Sequence, residues 1–461
     1  MPTSTAPARP TDPSNPSDPT MRPDLRSWLP SAHAPGSDFP IQNLPLGIAL
    51  DEESEAVFVV VACGDQVIDL DMLVHAGALG NDETIDIAHS ALHMASTNLL
   101  MAQPAVWREL RRRVQGWLLD GPPGGQSNRR LREKAARPMA SVQMVEPCVV
   151  GNYTDFYASI HHARTVGAMF RPDNPLLPNY KHVPIGYHGR ASSVVASGTP
   201  ITRPMGQTKP EGQDSPIFGA CKRLDYELEL GVVIGKENTL GTRVPIDEVD
   251  DSIFGFVLVN DWSARDIQAW EYQPLGPFLS KSFATSISPW IVTRQAIEPY
   301  RVPGPARQGD DPQPLDYLRG QAPWGLDINL EVLLTSSAMR AKGVEPMRVS
   351  RGNFLEMYWT VAQLIAHHTS NGCPLLAGDL LASGTISGPA PDSRGCLLER
   401  TWQGNGPDGK PLPRVPLALP TGESRTFLED GDEVIMRAWC ERPGAPRIGF
   451  GECRGIIQPA V

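Results

Sequence analysis

The sequence lacks the segments that would place it in or across a membrane. No uninterrupted apolar run approaches the roughly 20 residues that a membrane-spanning helix requires, and the first 23 residues lack the apolar stretch of a secretory signal. The seven cysteines are odd in number, widely spread and without a C-x-x-C pair, which predicts buried, reduced thiols rather than a disulfide framework. These absences predict a cytoplasmic protein.

Positive charge and the common catalytic motifs are also scarce. The formal net charge of −11 argues against nucleic acid or an anionic membrane as the main partner, although a local site can still bind an anionic small substrate. The chain has no P-loop, no G-x-S-x-G and no H-E-x-x-H motif. The glycines of GFGECRG (449–455) are one residue off the dinucleotide-binding spacing, so a C-terminal strand or turn is predicted there. Nothing supports a serine or cysteine hydrolase.

The chain of 461 residues is rich in proline, with 46, and divides by composition into three parts. Residues 1–24 are rich in Pro, Ser, Thr and Asp, which predicts a disordered tail and makes Met21 an alternative start. Residues 25–145 are predicted to form a separate N-terminal domain, with the flexible segment GPPGGQSNRR (121–130) near its end. Residues 146–461 then form a second, C-terminal domain.

The second domain is dominated by short predicted strands, which favours a sandwich or barrel over a doubly wound sheet. One helix is predicted over residues 353–372, ending at Asn371-Gly372. In the N-terminal domain, two strands joined near Gly64 precede two helical segments. The predicted strands of the second domain include LDYELELGVVIG, SIFGFVLVND, DINLEVLLT, DLLASGTISG, GCLLERTW and DEVIMRAWC.

The first of these strands carries an unusual acidic face. Its alternate residues from Leu224 to Ile234 are all apolar, while the opposite face begins Asp225, Glu227, Glu229. Three arrangements are compatible with that pattern: a solvated face, a face covered by basic side chains, or a bound cation. Asp261, which ends an apolar run, favours the cation. All-oxygen ligands would select Ca²⁺ or Mg²⁺.

Other candidate residues are individually weak. Arg265 and Gln268 share one face of a short predicted helix and could hold a carboxylate or an enolate, although a surface arginine with a capping partner is the simpler interpretation. Lys281 alone would suggest a solvent-reaching side chain. If residues 153–171 are helical, Asp155 and His162 share a face. The neighbouring His161 has no assigned role.

Taken together, several long blocks resemble the fumarylacetoacetase (fumarylacetoacetate hydrolase) family. They extend from about residue 37 to the C-terminus and include YTDFYASIHHA, GYHGRASS, LDYELELGVVIG, DWSARDIQAWEYQPLGPFLSKSF and RIGFGECRG. The resemblance implies a mainly β chain of the α+β class, with a small N-terminal SH3-like barrel and a large C-terminal mixed β-roll or sandwich domain. It also implies a homodimer.

The resemblance assigns roles to residues that match the family motifs. His162 would be the catalytic base, oriented by Glu399, with an oxyanion site formed by Arg265, Gln268 and Lys281. The cation ligands, for Ca²⁺ and/or Mg²⁺, would be Asp155, Glu227, Glu229 and Asp261, with Lys281 and Thr285 at a second cation position. The substrate would contact Tyr157, Arg171, Tyr187, Arg265, Gln268, Tyr272 and Thr385.

These assignments imply hydrolysis of a C–C bond in a diketone dicarboxylate, fumarylacetoacetate, to fumarate and acetoacetate, the last step of tyrosine and phenylalanine breakdown. The alternative within the same superfamily is an acylpyruvate hydrolase or a 2-oxo-acid decarboxylase, and the presence of both His162 and Glu399 favours hydrolysis. A non-catalytic calcium-binding module is a third possibility. Retention of the base, the oxyanion donors and the cation ligands argues against it.

Overall fold

The computed structural model describes residues 18–121, 125–321, 323–407 and 409–461. The N-terminal strands are β1 (Leu46–Asp51), β2 (Ala56–Cys63), β3 (Gln66–Asp69), β4 (Ala136–Pro138) and β5 (Gln143–Met144). They form an antiparallel five-stranded sheet in the order β4-β3-β2-β1-β5. The helices of this part are α1 (Leu70–His75), α2 (Glu83–His93), α3 (Thr97–Met101), α4 (Pro104–Leu118) and α5 (Gly125–Ala135).

The remainder of the chain contains most of the strands and few helices. Its helices are α6 (Ile160–Phe170), α7 (Arg265–Glu271), α8 (Arg294–Ile297), α9 (Ser337–Ala341), α10 (Val361–His368) and α11 (Leu397–Arg400). Its strands are β6 (Tyr153–Phe156), β7 (Gly186–Gly189), β8 (Val194–Ala196), β9 (Ile201–Thr202), β10 (Met205–Thr208), β11 (Ile217–Ala220), β12 (Leu224–Asp225), β13 (Leu228–Ile234), β14 (Ile253–Asp261), β15 (Ser263–Ala264), β16 (Thr285–Ile287), β17 (Val292–Thr293), β18 (Arg301–Pro303), β19 (Trp324–Leu326), β20 (Asn329–Thr335), β21 (Met347–Asn353), β22 (Leu380–Ala382), β23 (Leu417–Ala418), β24 (Ser424–Arg425), β25 (Glu433–Cys440) and β26 (Ile448–Gln458).

Two large sheets organise this second part. Eight strands form a mixed sheet in the order β7-β6-β22-β13-β14-β16-β8, with β17 beside β14. Five strands form the other sheet in the order β21-β20-β25-β26-β9. The predicted fold class is confirmed: a mainly β chain of the α+β class, with a small N-terminal sheet domain and a larger mixed-sheet domain.

The central strand β13 is buried on both faces, which explains its nearly continuous apolar sequence. Leu230 and Val232 belong to the main core between the large sheets. Val233, on the opposite face, packs in a second core with N-terminal residues such as Leu46 and Trp107. The N-terminal helices therefore cover the back of the large sheet, and the Trp107 ring lies 5.5 Å from that of Phe254.

The predicted disorder of residues 1–24 is wrong for the part of the tail that the structure describes, while residues 1–17 lie outside the described residues. Thr20 and Met21 are 6% and 1% exposed. The Thr20 hydroxyl accepts a hydrogen bond from buried Arg111, and its carbonyl accepts one from Gln115 at 2.7 Å. These partners lie on α4, some 90 residues along the chain, so composition alone does not reveal them.

Three local predictions are also corrected. Asp155 lies on β6 rather than on a helix with His162, because α6 begins only at Ile160, where Ser159 caps it. The long helix predicted over 353–372 is reduced to α10, whose N-cap Thr360 forms a capping box with Gln363 in the first turn. GCLLERTW contains the short helix α11 in place of the predicted strand. None of the helices in the described ranges has the length and apolar character of a membrane span.

Candidate active site

The acidic face of the strand at residues 224–229 is buried. Asp225 and Glu229 are 0% exposed and Glu227 is 5% exposed, whereas a solvated face would leave them open to water. Leu224, Tyr226 and Leu228 point the opposite way, into the main core. The solvated-face interpretation is therefore wrong, and these carboxylates require compensation within the protein.

Four carboxylates from three strand regions converge at this point. Asp155 comes from β6, Glu227 and Glu229 from the acidic strand, and Asp261 from the end of β14; one oxygen of each lies within 4.8 Å of the others. The sheet order explains the convergence, because β13 pairs with β14 on one side and reaches β6 through the short β22 on the other. We refer to these four residues as the carboxylate cluster.

Part of the carboxylate cluster lacks hydrogen-bond partners from the protein. Asp155 Oδ1 and both carboxylate oxygens of Glu229 are buried and have no hydrogen-bond partner among the described residues. Burial and the neighbouring carboxylates raise the pKa of Asp155 and of Glu229 well above the ordinary values. Buried, unpartnered oxygens from several carboxylates are the donor set of a hard divalent cation, so the residues fit Ca²⁺ or Mg²⁺.

Two basic side chains cover the rest of the carboxylate cluster. Lys281 is 5% exposed, and its Nζ contacts Glu227 and lies 2.6 Å from Asp261 Oδ2. The Arg265 guanidinium lies 2.8 Å from Glu227 Oε1. Although burial opposes it, the charges of Lys281 and Arg265 hold the pKa of Glu227 below its usual range. Lys281 is thus a buried ion-pair partner rather than a solvent-reaching side chain.

Asp261 is held by two further side chains from neighbouring strands. The Tyr187 hydroxyl donates to its Oδ2 at 2.8 Å, and the Thr285 hydroxyl donates to its Oδ1 at 3.1 Å. Tyr187 lies on β7, next to β6, and Thr285 pairs directly with Asp261 across β16 and β14. Both residues therefore contact the carboxylate cluster at its edge, through Asp261.

A histidine–glutamate pair lies beside this cluster. His162 Nδ1 is 2.6 Å from Glu399 Oε2, and the two residues are 3% and 4% exposed. The same oxygen accepts a hydrogen bond from the Ser387 hydroxyl at 2.7 Å, and Cys396 Sγ lies 3.3 Å away. Although burial opposes it, the charge of His162 lowers the pKa of Glu399. Positions 237 apart in sequence are thus joined in one buried pair.

The structure also distinguishes the adjacent histidines. His162 faces inward, where its imidazole packs edge-on against the Tyr157 ring at 5.3 Å between centroids. His162 also lies close enough to Glu227 for its charge to lower the pKa of that carboxyl group. His161 points outward, with its Nε2 3.6 Å from Glu356 Oε2 and a quarter of its side chain exposed.

The remaining predicted residues lie on α7 or shortly after α6, α7 and β22. Gln268 Oε1 accepts from Arg265 Nη1 at 3.1 Å. Arg171 and Tyr272 lie at the C-terminal ends of α6 and α7, which meet where the Tyr272 ring packs 5.5 Å from that of Phe170. Thr385 is 2% exposed and follows β22.

A glycine brings the segment carrying Thr385 close to the site. Gly384 has a φ of +75°, and a Cβ at that position would lie 2.1 Å from the carbonyl oxygen of Phe156. Both the left-handed conformation and the close approach exclude larger residues. The segment can therefore pass directly against the end of β6, the strand that carries Asp155 and precedes Tyr157.

Residue-level reasoning missed three members of the site. Ser387 and Cys396 contact Glu399, and Asp225 accepts from Arg265 Nε at 3.0 Å. Asp225 shares the two-residue alternation of Glu227 and Glu229, which was the available signal. Ser387 and Cys396 carried no comparable pattern, because they reach Glu399 only through the fold.

The chain is similar to known proteins over nearly its whole length. The family models "Fumarylacetoacetase N-terminal" and "Fumarylacetoacetate (FAA) hydrolase C-terminal" match residues 42–147 and 151–458. The fumarylacetoacetase of Bos taurus is 46% identical over 430 residues, covering 93% of this chain and 98% of its own. That of Homo sapiens is 45% identical over 437 residues, covering 94% and 99%. A solved fumarylacetoacetate hydrolase from psychrophilic Exiguobacterium antarcticum covers 90% of this chain and 99% of its own, at 16% identity and a TM-score of 0.48.

Proposed function

The chain belongs to the fumarylacetoacetate hydrolase family, and we propose that it hydrolyses fumarylacetoacetate to fumarate and acetoacetate, the last step of tyrosine and phenylalanine breakdown. The observation that carries this proposal is the buried His162–Glu399 pair next to the carboxylate cluster. A base beside a site for a hard cation is the arrangement that hydrolysis of a chelating diketone requires.

Asp155, Glu227, Glu229 and Asp261 would hold the cation, with Lys281 and Thr285 at a second cation position. When bound, Ca²⁺ or Mg²⁺ would supply a hard Lewis acid to the neighbouring oxygens of the diketone. The unpartnered oxygens of Asp155 and Glu229 support this assignment. Glu227 and Asp261 also form ion pairs with Lys281. These ion pairs would hold the ammonium group near the diketone oxygens of the substrate.

His162 would remove a proton from water, because Glu399 fixes its Nδ1 side and leaves Nε2 for the substrate side. The hydroxide would attack the carbonyl next to the fumaryl group. Arg265, Gln268 and Lys281 would donate to the resulting oxyanion, and such donors are typically worth roughly 3–4 kcal/mol each. When the C–C bond breaks, its electrons go to the acetoacetate carbon, which takes up the proton held by His162.

The substrate carries two carboxylates, and several arginine, tyrosine and threonine side chains suit its recognition. We assign Tyr157, Arg171, Tyr187, Tyr272 and Thr385, together with Arg265 and Gln268, to substrate binding. Arg265 contacts the carboxylate cluster, whereas Arg171 lies at the end of α6. The guanidinium of Arg171 therefore suits a terminal carboxylate of the substrate. Tyr157 packs on His162, which places it beside the base.

Several coarser features belong to the same proposal. We assign residues 25–145 to the N-terminal domain and 146–461 to the catalytic domain, and we expect a homodimer in the cytoplasm. The substrate is a small molecule, and the formal net charge of −11 supports neither nucleic acid nor an anionic membrane as a partner.

The test is loss of the ultraviolet dienolate absorption of fumarylacetoacetate on mixing with the protein, with and without EDTA. We expect turnover that EDTA abolishes and that added Ca²⁺ or Mg²⁺ restores. Turnover of acylpyruvates in preference to fumarylacetoacetate would favour the first rival within the superfamily. Release of carbon dioxide from oxaloacetate without hydrolysis would favour a decarboxylase, and would contradict the proposal.

A further inference from the structure

Asp225 is a buried carboxylate that joins two parts of the active site. Its Oδ2 accepts hydrogen bonds from Arg265 Nε at 3.0 Å and from the backbone N–H of Leu398 at 2.9 Å. Its Oδ1 accepts from the N–H groups of Leu397 and Tyr226 at 2.8 and 2.9 Å. Asp225 is 0% exposed, and each of its carboxylate oxygens thus has two hydrogen-bond donors.

The contact with Arg265 determines which guanidinium atoms remain available. Nε is occupied by Asp225, and Nη1 lies near Glu227 and Gln268. Nη2 is buried and has no hydrogen-bond partner in the described part of the chain. Asp225 therefore fixes the plane of the guanidinium with Nη2 as the donor that is left for the substrate oxygen.

The contacts with Leu397 and Leu398 fix the helix that carries Glu399. Helix α11 has four residues, and its N-cap Cys396 makes no side-chain capping bond. So short a helix is not stable by itself. Asp225 satisfies its first two N–H groups from a distant strand, and Glu399 follows immediately after them.

We propose that Asp225 is a positioning residue that couples the oxyanion donor Arg265 to the Glu399–His162 pair. This inference rests on the proposed function. Loss of the carboxylate would displace both groups together while leaving every proposed substrate contact chemically present. A misplacement of about 1 Å at a catalytic group can lower turnover by about a hundredfold.

The test compares Asp225→Asn with Asp432→Asn. Asp432 is equally buried and is paired with Arg425 in another region of the domain, so it is a matched control for losing a buried carboxylate. We expect both variants to lose thermal stability. We expect only D225N to lose kcat, by about 10- to 100-fold with a change in KM of less than about threefold.

A double-mutant cycle with Glu399→Gln supplies a readout that a merely structural role would not change. Because Asp225 acts through Glu399, the two losses in kcat should be strongly non-additive. Additive losses, or a kcat of D225N equal to that of D432N, would overturn the inference. If D225N does not fold, the second variant is D225E, which keeps the charge but shifts the oxygens by one methylene. A kcat of D225E within twofold of wild type would also overturn the inference. An inactive wild type would overturn the proposed function first, and this inference with it.

A second cluster of ligand side chains lies far from this site, on the N-terminal helices. Asp71 is on α1, and His89 and His93 are one turn apart on α2. One ligand atom of each lies within 4.8 Å of the other two, and His89 Nε2 is 3.8 Å from Asp71 Oδ1. That aspartate oxygen is buried and has no hydrogen-bond partner among the described residues.

The donor set differs from that of the carboxylate cluster. Two imidazoles and one carboxylate favour borderline metals such as Zn²⁺, Ni²⁺ or Cu²⁺, whereas all-oxygen ligands favour Ca²⁺ or Mg²⁺. The side chain of His89 is 44% exposed, so an ion can enter from solvent. We infer that Asp71, His89 and His93 bind a divalent transition metal that joins α1 to α2, independently of the proposed reaction.

The test is a calorimetric titration of Zn²⁺ into the full-length protein already saturated with Ca²⁺. We expect a site whose affinity for Zn²⁺ falls at least about tenfold in His89→Ala and in His93→Ala. The control is His182→Ala, which removes an exposed histidine in a turn of the second domain and should leave this affinity unchanged. Undiminished zinc binding by the H89A/H93A variant, or no zinc binding by the wild type at micromolar concentrations, would overturn the inference.

Discussion

The histidine–glutamate pair and the carboxylate cluster lie side by side, but folding supplies partners chiefly to the first. Glu399 Oε2 is bonded to His162 and supported by Ser387 and Cys396, and Arg394 Nη1 lies 3.8 Å from Oε1, which has no hydrogen-bond partner among the described residues. In the cluster, one oxygen of Asp155 and both oxygens of Glu229 lack a hydrogen-bond partner among the same residues. A single buried carboxylate with several donors can be stabilised by folding alone, whereas an excess of buried carboxylates requires a further cation.

The largest effect is expected from removing His162, the proposed base of the histidine–glutamate pair. His162→Ala should reduce kcat by about a hundredfold to ten-thousandfold, which is the usual contribution of a general base. Cation binding should persist, because all four carboxylates remain. Steady-state kinetics and calcium titration of the same preparation measure both. The matched control is His161→Ala, which removes an outward-facing histidine paired with Glu356 and should retain most of the turnover. Equal losses in the two variants would contradict the distinction between them.

The incomplete cluster predicts a variant whose effect on stability changes sign with the cation. In the absence of metal, Glu229→Gln replaces a buried carboxyl group that has no hydrogen-bond partner among the described residues by a neutral group of nearly the same shape. It should therefore raise the free energy of unfolding near pH 8 by up to several kcal/mol, the order of the penalty for burying one ion. With saturating Ca²⁺ it removes a ligand, so it should lower cation affinity and stability. Thermal melts in EDTA and in CaCl₂ measure both. A destabilised variant in both conditions would contradict the expected sign change.

The same argument predicts the pH dependence of the metal-free protein. The pKa of Glu229 is raised by folding, so the folded state binds more protons than the unfolded state at pH values above the ordinary glutamate pKa. Stability should therefore fall as the pH rises through that range and towards the raised pKa. E229Q should show a shallower decline than wild type in melts in EDTA across this range. Parallel curves would indicate that Glu229 does not contribute.

A smaller effect on stability is expected at Arg111, a buried guanidinium that donates hydrogen bonds to uncharged groups. Burial lowers the pKa of Arg111 to about 10, and its guanidinium donates to Thr20 and to the carbonyl of Gln42. Deleting residues 1–23 removes Thr20 and should cost about 1–3 kcal/mol, the typical cost of an unsatisfied buried group. Deleting residues 1–17 keeps these contacts and is the control. Equal melting temperatures for the two deletions would show that the contact with Thr20 is dispensable.

Much of the large sheet could be predicted from the sequence, because its alternation reflects burial directly. The apolar residues of 224–234 that alternate with the carboxylates are in the main core, and Asp261 ends the buried strand β14. The residues themselves predicted the hard-cation alternative, but they left it open against a solvated face. Only burial in the folded sheet separates those two possibilities.

What could not be predicted depends on contacts between distant segments. The sequence predicts a strand at residues 395–402, whereas the structure has helix α11 there, because its first N–H groups are bonded to Asp225, more than 170 positions earlier. Composition predicts disorder up to residue 24, because it gives no sign that Thr20 contacts Arg111. The pairing of His162 with Glu399 came from family resemblance alone, since no spacing rule joins a helix start to a residue so far away.

The most direct test of the central claim is a crystal structure of the protein soaked in Mn²⁺, with anomalous scattering measured at the metal edge. We expect one strong anomalous peak within bonding distance of oxygens from Asp155, Glu227, Glu229 and Asp261. The account would be contradicted if these four side chains were well ordered without an anomalous peak between them. Their oxygens would then be bound to water or to protein donors instead.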